Sequence, residues 1–232
     1  MPSSLRTFGL IPLLLCGLSI HLCAGQSTPT PDTVAQRPYL HQLSLGLDVF
    51  KSVPSVVLGK YYFITNAAII EPVLRHRTRR GHYNQLLLGY VRGTSIEPSE
   101  TIARQQVQGW YLKAGPDWDI TRRRGYGYFG LSAVVAGASY RGTFRIPGRT
   151  FGDYEGPFRE RGNLAWGGEF TLARNFYLSD RWMLRWLFRG TVLRRTQGEL
   201  RPHYYPGAGY TLGMYRRLFS YGSTLQLHYR LR

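Results

Sequence analysis

The stretch Ser223–Arg232 (STLQLHYRLR) alternates apolar and polar side chains over its whole length. Successive side chains of a β-strand point to opposite faces of a sheet, so residues two apart share a face. The apolar face and the polar face are formed respectively by Leu225, Leu227, Tyr229 and Leu231 and by Thr224, Gln226, His228 and Arg230. This stretch therefore predicts a strand that separates an apolar environment from a polar one.

The same period of two recurs along the chain and predicts eight strands in all. Their predicted bounds are 40–51, 67–77, 82–93, 105–120, 126–144, 159–175, 181–195 and 223–232. Each reaches the roughly 9–11 residues with which a tilted strand crosses a bilayer. The connections alternate between long and short, as in outer-membrane barrels whose termini both lie in the periplasm. The sequence therefore predicts an all-β fold: an eight-stranded antiparallel up-and-down transmembrane β-barrel over residues 39–232.

Three segments complicate this prediction. Residues 52–66 are mixed in character and are treated as a long connection that could extend either neighbouring strand. Pro72 lies within the second predicted strand, and because proline has no N–H to donate to the ladder, we expect a β-bulge there. In the third strand the run Leu86-Leu87-Leu88 blurs the alternation, so the register of 82–93 stays open.

The N-terminal segment contains the only long apolar run of the chain, at residues 8–24. The run follows a basic residue and ends in small residues, which is typical of a secretory signal peptide. We expect residues 1–25 to be a cleaved signal peptide and the Pro-, Ser- and Thr-rich residues 26–38 to be a flexible periplasmic tail. A single transmembrane anchor is the alternative, which the shortness of the run disfavours. Because Cys16 and Cys23 both lie in this segment, we expect no disulfide in the mature chain.

The chain is strongly basic, with a formal net charge of +17 carried by 27 Arg and only 3 Lys. A basic chain often binds nucleic acid, but an exported protein would meet little of it. Phosphate-bearing lipid fits better, because a guanidinium group binds phosphate through two parallel hydrogen bonds. An arginine-rich composition inherited from a GC-rich genome explains the same charge equally well. We expect outer-membrane lipid and lipopolysaccharide as partners, and no nucleic acid.

The apolar faces of the predicted strands carry large aromatic side chains and almost no charge at their centres. Lipid offers no hydrogen-bond partner to the backbone, so only a closed ring of strands can lie in it. The expected lipid-facing aromatic residues are Trp110, Trp118, Phe129, Trp166, Phe170, Trp182, Trp186 and Phe188. A soluble barrel such as a lipocalin is the alternative, and it is disfavoured because these side chains would then lie in water.

The polar faces of the same strands carry charges of both signs. An eight-stranded ring is only just wide enough for side chains to fill it, so charges inside it must pair. The predicted interior charge network consists of Asp48, Glu71, Arg75, Lys113, Asp117, Asp119, Glu169, Arg185, Arg189, His228 and Arg230. An interior plugged in this way predicts a barrel that conducts ions poorly.

Four stretches resemble the small eight-stranded outer-membrane barrels of the OmpA/OmpX type, and most of all the Bacteroidota outer-membrane β-barrel families of unknown function. They are GWYLKAGPDWDI (109–120), YGYFGLSAVVAGASY (126–140), Tyr205-Pro206-Gly207 and LQLHYRL (225–231). The resemblance implies a barrel exported to the outer membrane of a Gram-negative cell, and it carries no chemistry. One departure is that many such proteins end in an aromatic residue read by the assembly machinery, whereas this chain ends in Leu231-Arg232.

No catalytic constellation stands out in the sequence. Small barrels that act on lipid A need a His with a Ser or acidic partner near the outer rim, and only His203 falls in a predicted extracellular loop. No Cys/His spacing suggests a metal. From these two observations we expect no enzyme, no metal and no cofactor. The leading hypothesis is a non-enzymatic scaffold or binding barrel with surface loops. The alternatives are an accessory subunit of an outer-membrane secretion or uptake complex and, less favoured, a surface enzyme that modifies lipid A.

Overall fold

The fold is given by a computed structural model that describes residues 43–61, 64–78, 82–95, 102–121, 126–146, 148, 152–198, 202–211 and 216–231. The described residues all belong to one compact unit, which comprises residues 40–232. The predicted signal peptide at 1–25 and the predicted tail at 26–38 lie outside the described residues.

The described part of the chain consists almost entirely of strands, with one helix. The strands are β1 (Leu43–Asp48), β2 (Lys60–Tyr61), β3 (Ile64–Ile70), β4 (Pro72–Arg77), β5 (Tyr83–Ser95), β6 (Ile102–Asp119), β7 (Gly127–Ile146), β8 (Tyr154–Tyr177), β9 (Trp182–Arg195), β10 (Tyr204–Tyr205), β11 (Gly209–Tyr210) and β12 (Arg217–Leu231). The helix α1 (Val49–Val57) follows β1 without a break. In this part of the chain, no helix has both the length and the hydrophobicity needed to cross a membrane.

The main sheet closes on itself. β1 pairs with β12 on one side and with β4 on the other, and the pairs β5–β6, β6–β7, β7–β8, β8–β9 and β9–β12 complete the ring. β3 and β4 are consecutive segments that both pair with β5, so together they act as one strand of the wall. The result is a closed eight-stranded antiparallel β-barrel, which confirms the predicted all-β barrel architecture.

The two ends of the barrel carry different connections. The connections from β4 to β5, from β6 to β7 and from β8 to β9 lie at the end where Leu43 pairs with Leu231. We call this the turn end. The opposite end, the loop end, carries α1, the connections from β5 to β6 and from β7 to β8, and the segment between β9 and β12 that contains β10 and β11. The β6–β7 and β7–β8 connections are equally long, so the predicted alternation of short and long connections holds only in part.

The first predicted strand, 40–51, is wrong beyond Asp48, because the chain turns there into α1. The Asp48 carboxylate accepts a hydrogen bond from the backbone N–H of Lys51 (3.1 Å) and so caps the helix. One helix face is buried, through Lys51, Ser52 and Ser55, while the other is apolar and exposed. The helix packs against β3 and β12, so it fills the place in the wall that a longer β1 would occupy.

The expected bulge at Pro72 is also wrong. Ile70 pairs with Tyr90 and Val73 with Leu87, so the register is the same on both sides of the proline. The register shift lies earlier, between Thr65 and Ala68, where Asn66 has a φ of 47°. Asparagine tolerates this left-handed conformation better than most residues, so the extra residue of β3 is accommodated there.

A hairpin formed by β10 and β11 lies against interior side chains at the loop end. The Tyr140 hydroxyl donates to the backbone carbonyl of Tyr204 (3.0 Å), and the Tyr205 hydroxyl donates to that of Asn163 (2.8 Å). A side chain in place of Gly207 would lie 3.0 Å from Cβ of Tyr111. The hairpin therefore narrows the loop end of the barrel.

Candidate functional site: a barrel interior of paired charges

Glu71 is the centre of a hydrogen-bonded cluster in the middle of the interior. Its carboxylate accepts hydrogen bonds from the Lys51 ammonium (2.5 Å), the Tyr111 hydroxyl and the Arg189 guanidinium (3.4 Å). The same guanidinium nitrogen of Arg189 lies 2.9 Å from the Asp48 carboxylate. Arg189 therefore bridges two buried carboxylates, which would otherwise repel each other.

Lys113 and Glu169 form a second buried ion pair, between β6 and β8. The Lys113 ammonium donates to the Glu169 carboxylate, which also accepts a hydrogen bond from the Thr191 hydroxyl (2.8 Å). Together with the Glu71 cluster, this pair balances three carboxylates against three cations at this level of the described interior. The carboxylates are those of Asp48, Glu71 and Glu169, and the cations are Lys51, Lys113 and Arg189. Because the charges cancel, the middle of the interior needs no ion from solvent.

Asp117 joins two arginines nearer the turn end. Its carboxylate lies 2.9 Å from the Arg185 guanidinium and also accepts a hydrogen bond from Arg75. The guanidinium carbon of Arg75 lies 4.2 Å from the centre of the Tyr83 ring and 5.3 Å from that of Tyr128. One carboxylate thus serves two buried cations, and the faces of two aromatic rings stabilise the excess positive charge.

The other predicted interior residues lie near the turn end. His228 is fully buried, and its Nε2 lies 3.1 Å from the side-chain oxygen of Gln226. Asp119 is half-buried and accepts hydrogen bonds from the backbone N–H (2.8 Å) and the hydroxyl (2.7 Å) of Thr121 at the start of the turn. Arg230 is half-buried. The remaining eight predicted residues form the clusters described above.

Some interior groups were not predicted. Lys51 comes from α1 and enters the interior because the helix turns its polar side inward; the spacing of Lys51, Ser52 and Ser55 was the available signal. At the loop end, the Arg195 guanidinium lies 3.2 Å from the Glu160 carboxylate, in a further ion pair. Both residues were missed although the predicted strands 159–175 and 181–195 contain them, because each lies at the loop-end limit of its predicted strand.

The outer wall carries the aromatic residues predicted to face lipid. Six of the eight are well exposed, and Trp118 and Phe129 are half-buried because their rings stack, with centres 6.0 Å apart. Leucine, isoleucine and valine side chains lie exposed between them. The wall therefore presents an apolar belt to its surroundings, whereas the interior is polar.

His203 lies half-buried in the hairpin at the loop end. Its backbone carbonyl accepts a hydrogen bond from the N–H of Thr211 (3.0 Å), and the neighbouring Tyr205 is fully buried. Within the described residues, no group of three or more His, Cys, Asp and Glu side chains is arranged to hold a metal ion.

No protein-family model, curated protein or solved structure matches the chain. Fold and interior together define the class of structure: a closed eight-stranded antiparallel barrel with an apolar outer belt and an interior of hydrogen-bonded ion pairs.

Proposed function

We propose that the protein is an integral outer-membrane β-barrel with a non-enzymatic role, which anchors surface loops and contacts lipopolysaccharide. The observation that carries this proposal is the reversal of polarity across the wall. Fully buried interior residues include Arg75, Asp117 and Arg185, whereas Leu88, Trp166 and other large apolar residues are exposed outside. In water this distribution would be unfavourable, but it is the stable one in lipid.

The location follows from the same reversal. A closed ring gives each wall strand a hydrogen-bonded neighbour on both sides except beside α1, and such pairing is the condition for lying in hydrocarbon. Helical membrane proteins meet this condition in the inner membrane, whereas closed barrels are typical of outer membranes. The predicted signal peptide at 1–25 agrees with export. Expression in a Gram-negative host, followed by separation of the two membranes, tests the location, and recovery as a detergent-free soluble monomer would contradict it.

A sealed interior favours a scaffold over a pore. The buried ion pairs of Lys51, Lys113 and Arg189 occupy the middle of the ring, and the hairpin containing Tyr205 narrows the loop end. We expect planar-bilayer recordings of the purified protein to show no steady conductance. A large and stable channel would rule out the plugged interior and with it the scaffold role.

A role as accessory subunit of a secretion or uptake complex is the second candidate. The observation that favours it is the exposed apolar face of α1, where Val57 and Leu58 are 72% and 70% exposed. A helix in the wall presents a ridge that another membrane protein could pack against. Extraction in mild detergent followed by native mass determination separates the two: a lone barrel supports the scaffold, and a stoichiometric assembly supports the subunit.

The non-enzymatic part of the proposal has its own test at His203. If the hairpin serves only to close the loop end, His203→Ala leaves the acyl pattern of lipid A unchanged in mass spectra of cells that express the protein. A changed pattern in wild-type cells that disappears in the variant would show an enzyme instead.

A further inference from the structure

A groove on the outer wall collects four arginines at the loop end. It has a volume of about 750 Å³ and runs across β5, β6, β7 and β8. Its cationic side chains are Arg92, Arg141, Arg159 and Arg161, and its polar ones include Gln106, Gln108 and Ser139. The four arginines are exposed on the wall because each is in phase with the outward positions of its strand, as Arg92 is with the exposed Tyr90.

The sheet register places two of these arginines directly opposite each other. Arg141 on β7 pairs with Arg159 on β8, which puts their Cβ atoms roughly 5 Å apart. Like charges in this position destabilise a sheet. The Nε of Arg141 donates to the side-chain oxygen of Gln106, which leaves the two terminal nitrogens of the guanidinium to bind an anion.

A third arginine, Arg161, lies beside this pair at a β-bulge. Ala138 pairs with Asn163 and Tyr140 with Glu160, so Ser139 faces two residues of β8, Arg161 and Gly162. Gly162 has a φ of +68°, a conformation that glycine adopts without a steric penalty. Arg161 is two residues from Arg159 and both are exposed, so Arg161 lies on the same outer face as the Arg141–Arg159 pair.

No described residue that lines the groove is acidic. Arg145, four residues beyond Arg141 on the same face of β7, provides the contrast. It forms ion pairs with Asp153 and with Glu155 (3.7 Å), and its hydrogen bond lowers the pKa of the Asp153 carboxyl. Among the described residues, carboxylates therefore neutralise arginines just outside the groove, whereas no carboxylate lines the groove itself.

The end of the groove nearer the middle of the wall is apolar. Trp110, Gly137 and Leu164 line it. A Cβ atom on Gly137 would lie 2.8 Å from the indole nitrogen of Trp110, so the glycine leaves room for the indole ring to lie over the wall. The groove therefore has a cationic end towards the loops and an aromatic, apolar end towards the centre of the belt.

We propose that this groove binds lipid A, with a phosphate group between Arg141, Arg159 and Arg161 and an acyl chain along Trp110 and Leu164. A phosphate bound by paired guanidinium groups would turn the repulsion of the opposed arginines into attraction. Among phosphorylated lipids, one built on a sugar fits best, because the amide and hydroxyl side chains beside the arginines suit hydroxyl and amide groups of a glycolipid. The proposal rests on the proposed function, since the groove meets lipid A only if the loop end faces the cell surface.

The test compares variants that remove one or two positive charges at or beside the groove. Arg159→Gln and the double variant R141Q/R159Q remove groove arginines, and Arg145→Gln is the matched control on the same wall. Each protein is refolded in detergent and incubated with one of four probes: diphosphorylated lipid A, dephosphorylated lipid A, phosphatidylglycerol or inorganic phosphate. Native mass spectrometry then measures the bound fraction.

The wild type and Arg145→Gln should bind diphosphorylated lipid A equally, within about twofold, whereas the double variant should bind it at least about tenfold more weakly. Dephosphorylated lipid A should bind weakly to every protein. Equal binding by wild type and double variant would overturn the proposal, and so would equal binding of phosphatidylglycerol or inorganic phosphate, which would indicate a general anion site. Heat-modifiable mobility on gels confirms that each variant is folded.

The two proposals fail in different ways. Wild-type protein found in the outer membrane, with lipid A binding that R141Q/R159Q does not reduce, would refute the groove alone. A wild-type protein that is water-soluble without detergent would refute the proposed function itself.

Discussion

The hydroxyl group of Ser55 occupies the position that a neighbouring strand would take beside Ile69. It accepts a hydrogen bond from the backbone N–H of Ile69 (3.0 Å) and lies 3.2 Å from the carbonyl oxygen of the same residue. Since β1 ends at Asp48, it leaves this part of β3 without a strand partner on that side. A single serine of α1 thus makes the hydrogen bonds that a β-ladder would make here, and these bonds hold the helix in the wall.

The first prediction concerns the hydrogen bonds between Ser55 and Ile69. Ser55→Ala should lower the free energy of unfolding by about 1–3 kcal/mol, because buried backbone groups of Ile69 lose their partner. Ser52→Ala is the matched control: Ser52 is buried on the same helix, but its hydroxyl has no hydrogen-bond partner in the described part of the chain, so its loss should be within about 0.5 kcal/mol. Urea titration in detergent micelles measures both. Equal losses of stability in the two variants would show that the Ser55 hydroxyl does not hold α1 in the wall.

The second prediction concerns the ion pair of Lys113 and Glu169. Lys113→Met leaves Glu169 as a buried carboxylate without its main partner, and should cost about 3–5 kcal/mol of stability. The double variant K113M/E169L removes both charges and should recover most of that loss, because a buried ion pair adds little over apolar side chains of similar volume. The unfolding free energies of the two variants provide the comparison. A double variant less stable than Lys113→Met would contradict this account of the pair.

The third prediction concerns Asp117, which serves two arginines. Asp117→Asn leaves Arg75 and Arg185 as neighbouring buried cations with no carboxylate between them, and should cost about 3–5 kcal/mol. Asp180→Asn, in an exposed turn at the same end of the barrel, should change stability by less than about 0.5 kcal/mol. Thermal loss of the folded band on unboiled gels gives a rapid measurement. If both variants melted together, Asp117 would not be needed for charge balance.

The fourth prediction concerns depth in the membrane. Ala133 and Thr143 both lie exposed on the outer face of β7, the first in the middle of the apolar belt and the second beyond it. Ala133→Arg should cost about 2–4 kcal/mol in lipid vesicles and Thr143→Arg about 0–1 kcal/mol. Unfolding in vesicles measures the difference. Equal costs for the two arginines would mean that the belt is not in contact with hydrocarbon.

The barrel itself could be predicted from the sequence because the period of two survives in nearly every wall strand. In β12, Leu227 faces outward and His228 inward as the alternation requires. The strand begins at Arg217 rather than at the predicted 223. The prediction began late because Gly222 and Ser223 weaken the alternation of apolar and polar side chains, although they do not interrupt the backbone ladder. Pairing with β9 continues through them.

The helix could not be predicted from residue preferences. Its sequence, VFKSVPSVV, is rich in β-branched valine and contains Pro54, both of which favour strands or turns over helices. What decides the helix is the capping of its first turn by Asp48 and the burial of Lys51 against Glu71. The cap is local to the chain, whereas the contact with Glu71 is a consequence of the closed barrel, which brings Glu71 next to the segment that follows β1.

The groove was missed for a different reason. The four arginines lie on three separate stretches of sequence, and Arg161 lies at a bulge that no sequence signal located. Each arginine by itself resembles an ordinary polar residue near a strand end. Only the strand register, which pairs Arg141 with Arg159, shows that they form one site.

The ring closes between its first and last strands, from Leu43 opposite Leu231 to Asp48 opposite Gln226. Contacts between such distant parts of a chain form slowly, so this seam is expected to be the last to form. A polypeptide that stopped before β12 would keep two open strand edges, which invite association with other chains. We therefore expect the barrel to fold only as a whole, because a fragment that lacks a wall strand would expose unpaired strand edges.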